Sequence, residues 1–556
     1  MVKKKSTGAT QKSRIYPDLR DHIRALENEN LLRVVDLPIN KDTELFPLVR
    51  WQVRGGVPDE ERKAWLFTNV TDSKGKKYDM PVLIGAWGGN KKIYSIGLGC
   101  PLDKSNDLWE KALSNPIPPR EIFDASCQEI IIEGTELDQP GNALDALPVP
   151  ISTPGWDNAP FLSGTGFITK DPDTGLQNFG TYRGQIKAPR RFGLNTSTEL
   201  RAGGYGHWLK YKERGEKMPC AYVVGGPPVL AYAAVWKAPE ECDEIGLAGG
   251  LLGTPIDVTK ARTVDLLVPA DAEIIIEGYV DTEYLEPEGP YAEAHGHVNT
   301  QEFNCFVDVT AITHRKNPIL ITYLSQLHPN EFTDIRCLVH EFGYIRHLRD
   351  NLGIKGVKNV TCHQPLTGSR KFIFVTFERV VPRTEIWRAL YGIQSQQRGS
   401  GKFVIAISED INPKNLDSVF WALAFRSSPH LDMEVIKHKD PGHGPSEAIT
   451  GGEDSALLID ATQKKDYPPV ALPKLEYMER ARQIWEEKLG LPQLKPETPW
   501  HGYSLGFWPE QLEQEALRAV ESNYWENGIR AAQRRRNDIP MNTEVWKIEN
   551  ALSKKT

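Results

Sequence analysis

The stretch Glu273–Glu293, EIIIEGYVDTEYLEPEGPYAE, decides how the rest of the chain is read. Its first part, Glu273 to Val280, is rich in isoleucine with Tyr279 and Val280 behind, and predicts a short strand. The second part, Glu283 to Glu293, carries glutamate at four of its eleven positions. Glu288 and Glu293 flank Gly289-Pro290, a turn dipeptide. Strict alternation would send the two carboxylates to opposite faces, but a chain folded back at Gly-Pro can bring them together. Two carboxylates in different environments are what acid–base chemistry uses. By itself the stretch also reads as a solvated acidic loop, the commoner fate of a charge cluster.

Working outward, residues 122 to 323 are mostly β. Segments Glu129–Glu133, Phe161–Thr169, Gly180–Lys187, Ala221–Gly225, Val229–Trp236, Thr263–Val268, Phe303–His314 and Ile319–Tyr323 predict short strands between turn residues. The hexapeptide EIIIEG occurs at Glu129 and again at Glu273, which reads as two similar buried strands. Helices are expected near Leu209–Arg214 and Asp243–Leu252. Many short strands with few helices point to a barrel or sandwich. Before this region stand a helical pattern over Tyr16–Val35, strand-like segments Trp65–Val70, Met80–Trp87 and Lys92–Leu98, and a helix over Leu108–Leu113 that ends in the joint Asn115–Pro119. After it, helical patterns (Ile335–Asn351, Arg383–Gly392) alternate with strands (Phe372–Val380, Phe403–Ser408). The chain then turns Pro-rich beyond Tyr467 and ends in a helix over Pro509–Ser522 and a basic patch at Arg534–Arg536. Trp500, Trp508, Trp525 and Trp546 make this arm either a subunit contact or a strap on its own chain. The expectation is a multidomain α+β and α/β protein divided at 1–121, 122–330, 331–470 and 471–556.

Composition narrows the function. At 556 residues the chain exceeds one ordinary core. With 74 acidic and 67 basic residues its formal charge is −7, which argues against a protein built on nucleic acid or anionic membrane. The N-terminal MVKKKSTGATQKSR is polar with no apolar segment behind it, so no secretory signal is expected, and the protein is read as cytoplasmic. The seven cysteines are widely spaced with no CxxC pair, which predicts reduced, buried thiols.

Other motifs are weaker alone. In Asn178-Phe-Gly-Thr-Tyr-Arg183, Gly180 permits close backbone approach and Arg183 can hold a carboxylate bidentately, although a structural ion pair is the plainer reading. His295-Gly-His297 has strand spacing that would put both rings on one face, but lacks a third metal ligand nearby. Gly246–Thr254 lacks the Lys-Ser/Thr of a phosphate loop, and no GxSxG serine elbow occurs.

Taken together, Asn178-F-G-T-Y-Arg183, Cys242-D-Glu244-I-G-L-A-G-G-L-L-Gly253 and Glu288-G-P-Y-A-Glu293 resemble the UbiD family of reversible decarboxylases, over about Tyr16 to Val470. The resemblance implies an N-terminal α/β region, a central split β-barrel that binds prenylated FMN, and a C-terminal α/β domain for oligomerisation as a homodimer or hexamer. It implies Arg183 and Glu288 as an ion pair beside the flavin and Glu293 as the acid–base, the family's Glu-Arg-Glu triad. It implies Asn178 and Glu244 as ligands of a divalent Mn or Mg ion, with K also used, and Asn178, Thr181, Tyr182, Arg183, Leu200, Arg201, Trp236 and Glu244 as the cofactor contacts. A flavin prenyltransferase would supply the cofactor. The sequence departs from the family twice. Arg201 stands where a histidine metal ligand is usual, and Ala456 where a phosphate-contacting lysine is usual. Arg201 is expected to bind the flavin phosphate itself, leaving the metal weakened, moved or absent. The implied substrate is an aromatic or α,β-unsaturated carboxylate. The C-terminal extension favours an aromatic acyl-CoA of the phthaloyl-CoA type, with a simple hydroxybenzoate-type acid as the rival. An FMN-binding oxidoreductase and a non-catalytic member lacking cofactor are readings from other classes.

Overall fold

Thirteen consecutive residues, Glu302–His314, form the longest strand of the computed structural model. Val307, Val309 and Ile312 are buried along it, and this apolar spine carries the central sheet. The described residues are 16–195, 203–236, 242–368, 370–397, 399–440, 453–464, 467–494 and 505–534. In spatial order the sheet runs Gln177–Gly180, Gly166–Lys170, Met218–Val224, Ile274–Val280, Glu302–His314, Arg191–Leu194, Gly184–Ala188, Phe161–Leu162. Every pairing along this path is antiparallel. The long strand also pairs with Glu286–Glu288 and Ile130–Glu133. The path is open, so among the described residues the expected barrel is not closed. What stands is a mixed α+β multidomain fold.

The repeated EIIIEG hexapeptide now has an explanation. Ile132 and Ile276 both pair with Ile312, one from each copy. The copies differ in burial, which corrects the expectation of two equally buried strands. Ile274 to Ile276 are sealed, while Ile130 and Ile131 are each 37% exposed.

Two segments read as strands are helices. Lys91–Leu98 is capped by the Asn90 side chain, which accepts from Ile93 N, and stops at Gly99 with φ +74. Pro228–Val235 starts with proline, which suits a first helical turn, and every one of its residues is buried. A short, wholly apolar run does not distinguish helix from strand by periodicity, which is why it misleads. The Tyr16–Val35 pattern likewise splits into a helix, Leu19–Asn28, and a strand, Leu32–Val35. That strand opens a four-stranded sheet ordered Leu32–Val35, Ala64–Phe67, Val82–Ile84, Leu320–Thr322. Its last member arrives from beyond the central sheet and runs parallel to Val82–Ile84.

A third sheet, Val357–Cys362, Phe372–Phe377, Phe403–Ser408, Asp454–Ala461, Met433–Lys439, packs with helices Glu331–Arg346 and Arg383–Gln396 around its own apolar core. Ala456 is buried in its fourth strand. The chain forms two compact units, residues 1–407 with 427–461, and 408–426 with 462–556. The second contains a buried Arg426–Asp410 pair at 2.6 and 2.7 Å. Its helices Leu475–Gln483, Glu510–Val520 and Tyr524–Ala532 bury none of their residues. Trp508 and Trp525 there are 46% and 73% exposed, whereas Trp500, Trp546 and Arg535–Arg536 lie outside the described residues. Among the described residues no helix is long and apolar enough to cross a membrane. None of the seven cysteines forms a disulfide, and five of them are buried.

Candidate active site

The turn at Gly289-Pro290 does what its sequence suggests. Glu288 ends the strand Glu286–Glu288, which hydrogen-bonds along Glu302–His314, and Tyr291-Ala292 reverses to pair with Val298-Asn299. Glu288 and Glu293 thereby converge on one guanidinium. Arg183 donates from Nε to Glu288 Oε1 at 2.8 Å and from Nη2 to Oε2 at 2.7 Å. Its Nη1 pairs with Glu293. The Glu288 side chain is fully buried, and those of Arg183 and Glu293 nearly so. Asn304 Nδ2 adds a long contact to Glu288 Oε2, at 3.4 Å. Burial works against the charge of Arg183, but hydrogen bonding and attraction from Glu288 prevail and raise its pKa. The Tyr291 ring lies under the guanidinium, 4.6 Å from centroid to Cζ.

Asp157 also touches this turn, and the sequence offered no sign of it. Its Oδ1 accepts from Ala292 N at 3.0 Å and its Oδ2 from Thr153 N at 2.7 Å. Burial pushes its pKa up to about 6, although those N–H groups and Arg183 pull it down.

A second cluster forms around Asn178. Glu244 opens the helix Glu244–Leu252, whose start is capped by Asp243. Glu244 Oε2 accepts from Phe179 N at 2.9 Å, which locks the helix to the Asn178 strand. Burial pushes the Glu244 pKa up to about 7. The Tyr182 hydroxyl accepts from Gly204 N at 3.1 Å. Gly203 comes so close that a Cβ there would stand 2.2 Å from Asn178 Oδ1. Gly180 is equally constrained, since its Cβ would meet the Tyr182 ring at 2.8 Å.

Buried polar atoms without partners are rare and mark positions built for something else. Among the described residues, Asn178 Nδ2, Thr181 Oγ1 and Trp236 Nε1 are such atoms. Trp236 follows the helix Pro228–Val235, which packs on the Asn178 strand. Its ring stacks on His340 and abuts Gly343. A backbone cradle with orphaned donors and a buried oxygen ligand fits a phosphorylated, ring-bearing cofactor and a hard cation. Leu200 and Arg201 lie outside the described residues. His295 and His297 sit in a turn rather than on a strand, with ring centroids 5.7 Å apart. Among the described residues no three His, Cys, Asp or Glu side chains gather as a metal cage.

Comparison with known proteins follows this geometry. The Rift-related domain of 3-octaprenyl-4-hydroxybenzoate carboxy-lyase (UbiD) matches residues 120–327, and the C-terminal domain of the same family matches residues 334–461. Among solved structures, the UbiD-class enzyme HmfF of Pelotomaculum thermopropionicum in complex with FMN is 24% identical with a TM-score of 0.72, covering 84% of this chain and 99% of that one. The closed form of the vanillic acid decarboxylase of Sedimentibacter hydroxybenzoicus is 23% identical with a TM-score of 0.72, over 86% and 99%. The apo 3,4-dihydroxybenzoic acid decarboxylase of Klebsiella pneumoniae is 21% identical with a TM-score of 0.69, over 80% and 94%. The two matched domains cover more than half of the sequence, and the chain belongs to the UbiD family of carboxy-lyases.

Proposed function

We propose that this protein catalyses the reversible, non-oxidative decarboxylation of an aromatic carboxylate with prenylated FMN. The observation that carries the reading is Arg183, held bidentately by Glu288 while also pairing with Glu293. Asn178, Thr181, Tyr182, Trp236 and Glu244, with Leu200 and Arg201 by resemblance, would hold the cofactor, with Arg201 on its phosphate and Asn178 and Glu244 left as the ligands of a weakened or displaced divalent ion. When bound, prenylated FMN would supply an electrophile that stabilises the electron pair left on the ring carbon until that carbon is protonated.

The protein's own residues do the rest. Arg183 orients the substrate carboxylate, and Glu288 keeps that arginine charged and aimed. As CO2 departs, the carbon–carbon bond breaks and its electron pair stays with the ring carbon. Glu293 delivers the proton that forms the new C–H bond and recovers it in the carboxylation direction. The Tyr291 ring beneath Arg183 shields one face of the ion pair from water. The triad of charges has a use here that a plain hydride-transfer site does not require, since proton delivery to carbon needs a positioned acid.

For the substrate we propose an aromatic acyl-CoA of the phthaloyl-CoA type. Its support is the length of chain beyond the compared structures, whose near-complete lengths match only 80–86% of this one. A hydroxybenzoate-type acid is the second reading, favoured by the vanillic and 3,4-dihydroxybenzoic acid decarboxylases among the compared proteins. We further propose the four-part division at 121, 330 and 470, with a homo-oligomeric assembly. The test is to load the protein with prenylated FMN without oxygen and to offer aromatic acids and their CoA thioesters. CO2 release with solvent deuterium entering the vacated ring position supports the reading. Failure on every acid and thioester, in a fully loaded protein, refutes it.

A further inference from the structure

The helix Leu45–Arg54 has three faces. Leu45, Phe46, Val49 and Val53 bury into the core, and Trp51 points out, 71% exposed. Between them Arg50 and Arg54 reach across to a segment about 275 residues later. Arg50 Nη1 donates to Leu327 O at 2.7 Å, and its Nη2 donates to Ser325 O at 3.1 Å and to Gln326 Oε1 at 2.9 Å. Arg54 Nη1 adds a contact to His328 O at 3.3 Å. One guanidinium thus spans three consecutive residues. Burial presses its pKa down to about 10, which leaves it charged at neutral pH.

The held segment needs holding. Gln326 is buried with φ +59, a left-handed conformation that costs a non-glycine residue strain. Arg50 also decides which way its amide faces. Because Oε1 accepts from Arg50, Nε2 must face inward, where it meets the Tyr291 hydroxyl at 3.3 Å and Ser325 Oγ at 3.0 Å. The Tyr291 oxygen then accepts from Gln326 and shares a second hydrogen bond with Ser325 Oγ, 3.1 Å away, in which either hydroxyl can donate. Tyr291 is the ring beneath Arg183.

We propose that Arg50 is a positioning residue for this reaction, fixing through Gln326 and Tyr291 the place where Arg183 holds its two carboxylates. This rests on the reading of Arg183, Glu288 and Glu293 given above. The plainer alternative is a strut that ties the helix to the 325–328 segment and affects only stability.

The experiment compares Arg50→Ala, Arg50→Lys and Gln326→Gly in the flavin-loaded holoenzyme, with Trp51→Ala on the same helix as control. Gln326→Gly suits the left-handed backbone, so it keeps the test alive if Arg50→Ala folds poorly. Three readouts are taken: flavin occupancy by absorbance, kcat per loaded site, and amide exchange of peptides spanning 288–299. In Arg50→Ala and Gln326→Gly we expect unchanged occupancy, kcat per loaded site lower by about 10²-fold, and faster exchange at Tyr291 to Glu293. Arg50→Lys, which keeps the charge but not the fork, falls between, and Trp51→Ala matches wild type. Unchanged kcat per loaded site with lower occupancy, or unchanged exchange at Tyr291 to Glu293 in both variants, overturns the proposal. If the wild type turns over no aromatic acid, the proposed function fails, while the exchange readout still decides whether Arg50 fixes Tyr291.

Discussion

Asp157→Asn offers a test of the active-site electrostatics that needs no substrate. The carboxylate is 9% exposed and lies against the turn that carries Glu293. Burial raises its pKa from 3.8 to about 6. At about 1.36 kcal/mol per pH unit, that difference is worth about 3 kcal/mol. The sign is opposite to the usual carboxylate. The folded protein holds this proton more tightly than the unfolded chain, so the unfolded state binds fewer protons between pH 3.8 and about 6. Stability therefore falls as pH rises through that window, and the full cost is present above it. Asparagine cannot ionise, so its variant lacks this slope. It also has one acceptor where Asp157 uses two, which leaves Ala292 N or Thr153 N unpaired and adds an offset of about 1–3 kcal/mol independent of pH. The assay is urea denaturation of both proteins from pH 4 to 8. Glu244, Glu331 and Asp334, all pushed by burial to about 7, titrate in both and cancel in the difference. The stability of the variant relative to wild type should rise by about 3 kcal/mol between pH 4 and 7. A difference that stays flat across the window refutes the account of Asp157.

Glu293→Gln is nearly isosteric and should retain flavin while losing about 10²–10⁴-fold in turnover; activity above about a tenth of wild type counts against its role as the acid. Glu288→Ala strips the buried bidentate partner from Arg183 and should cost about 3–5 kcal/mol in denaturation experiments, far more than Glu29→Ala, which breaks an exposed, solvent-screened pair. Arg201→Ala should lower flavin occupancy more than Glu293→Gln does, and equal occupancy in both would undo the phosphate assignment. Metal analysis of the flavin-loaded protein should find less than one divalent ion per chain; one tightly bound Mn ion, lost in Glu244→Gln, would sink the idea that Arg201 displaces it.

What the sequence made legible was local. Glu288 and Glu293 lie five residues apart around a Gly-Pro turn, so their convergence followed from turn chemistry alone. The Asn178–Arg183 stretch was equally compact, and the strand beside Glu244 needed only one long-range bond, Phe179 N to Glu244 Oε2. The errors were also local in origin. Pro228–Val235 is apolar on every side because it is buried on every side, so it carries no helical period to detect. Lys91–Leu98 was lost for a different reason. Its Asn90 cap and Gly99 stop are residue types that equally punctuate a strand with turns, so neither distinguishes helix from strand.

The residues that escaped altogether share a physical property. Arg50 donates chiefly to main-chain carbonyls, and Asp157 accepts only from main-chain N–H groups. Every residue except proline presents the same backbone groups, so those contacts leave no mark on partner identity, and the one side-chain acceptor of Arg50, Gln326, is an uncharged residue far away in sequence. Arg183 is different, because a guanidinium needs carboxylates and the sequence displays them. It follows that a search for active-site residues by motif finds the groups that do chemistry and misses those that aim them. In this chain the aiming groups come from residue 50 and residue 157, on segments remote in sequence from the turn at 289–290. A substitution at either should therefore change activity while leaving every family signature intact.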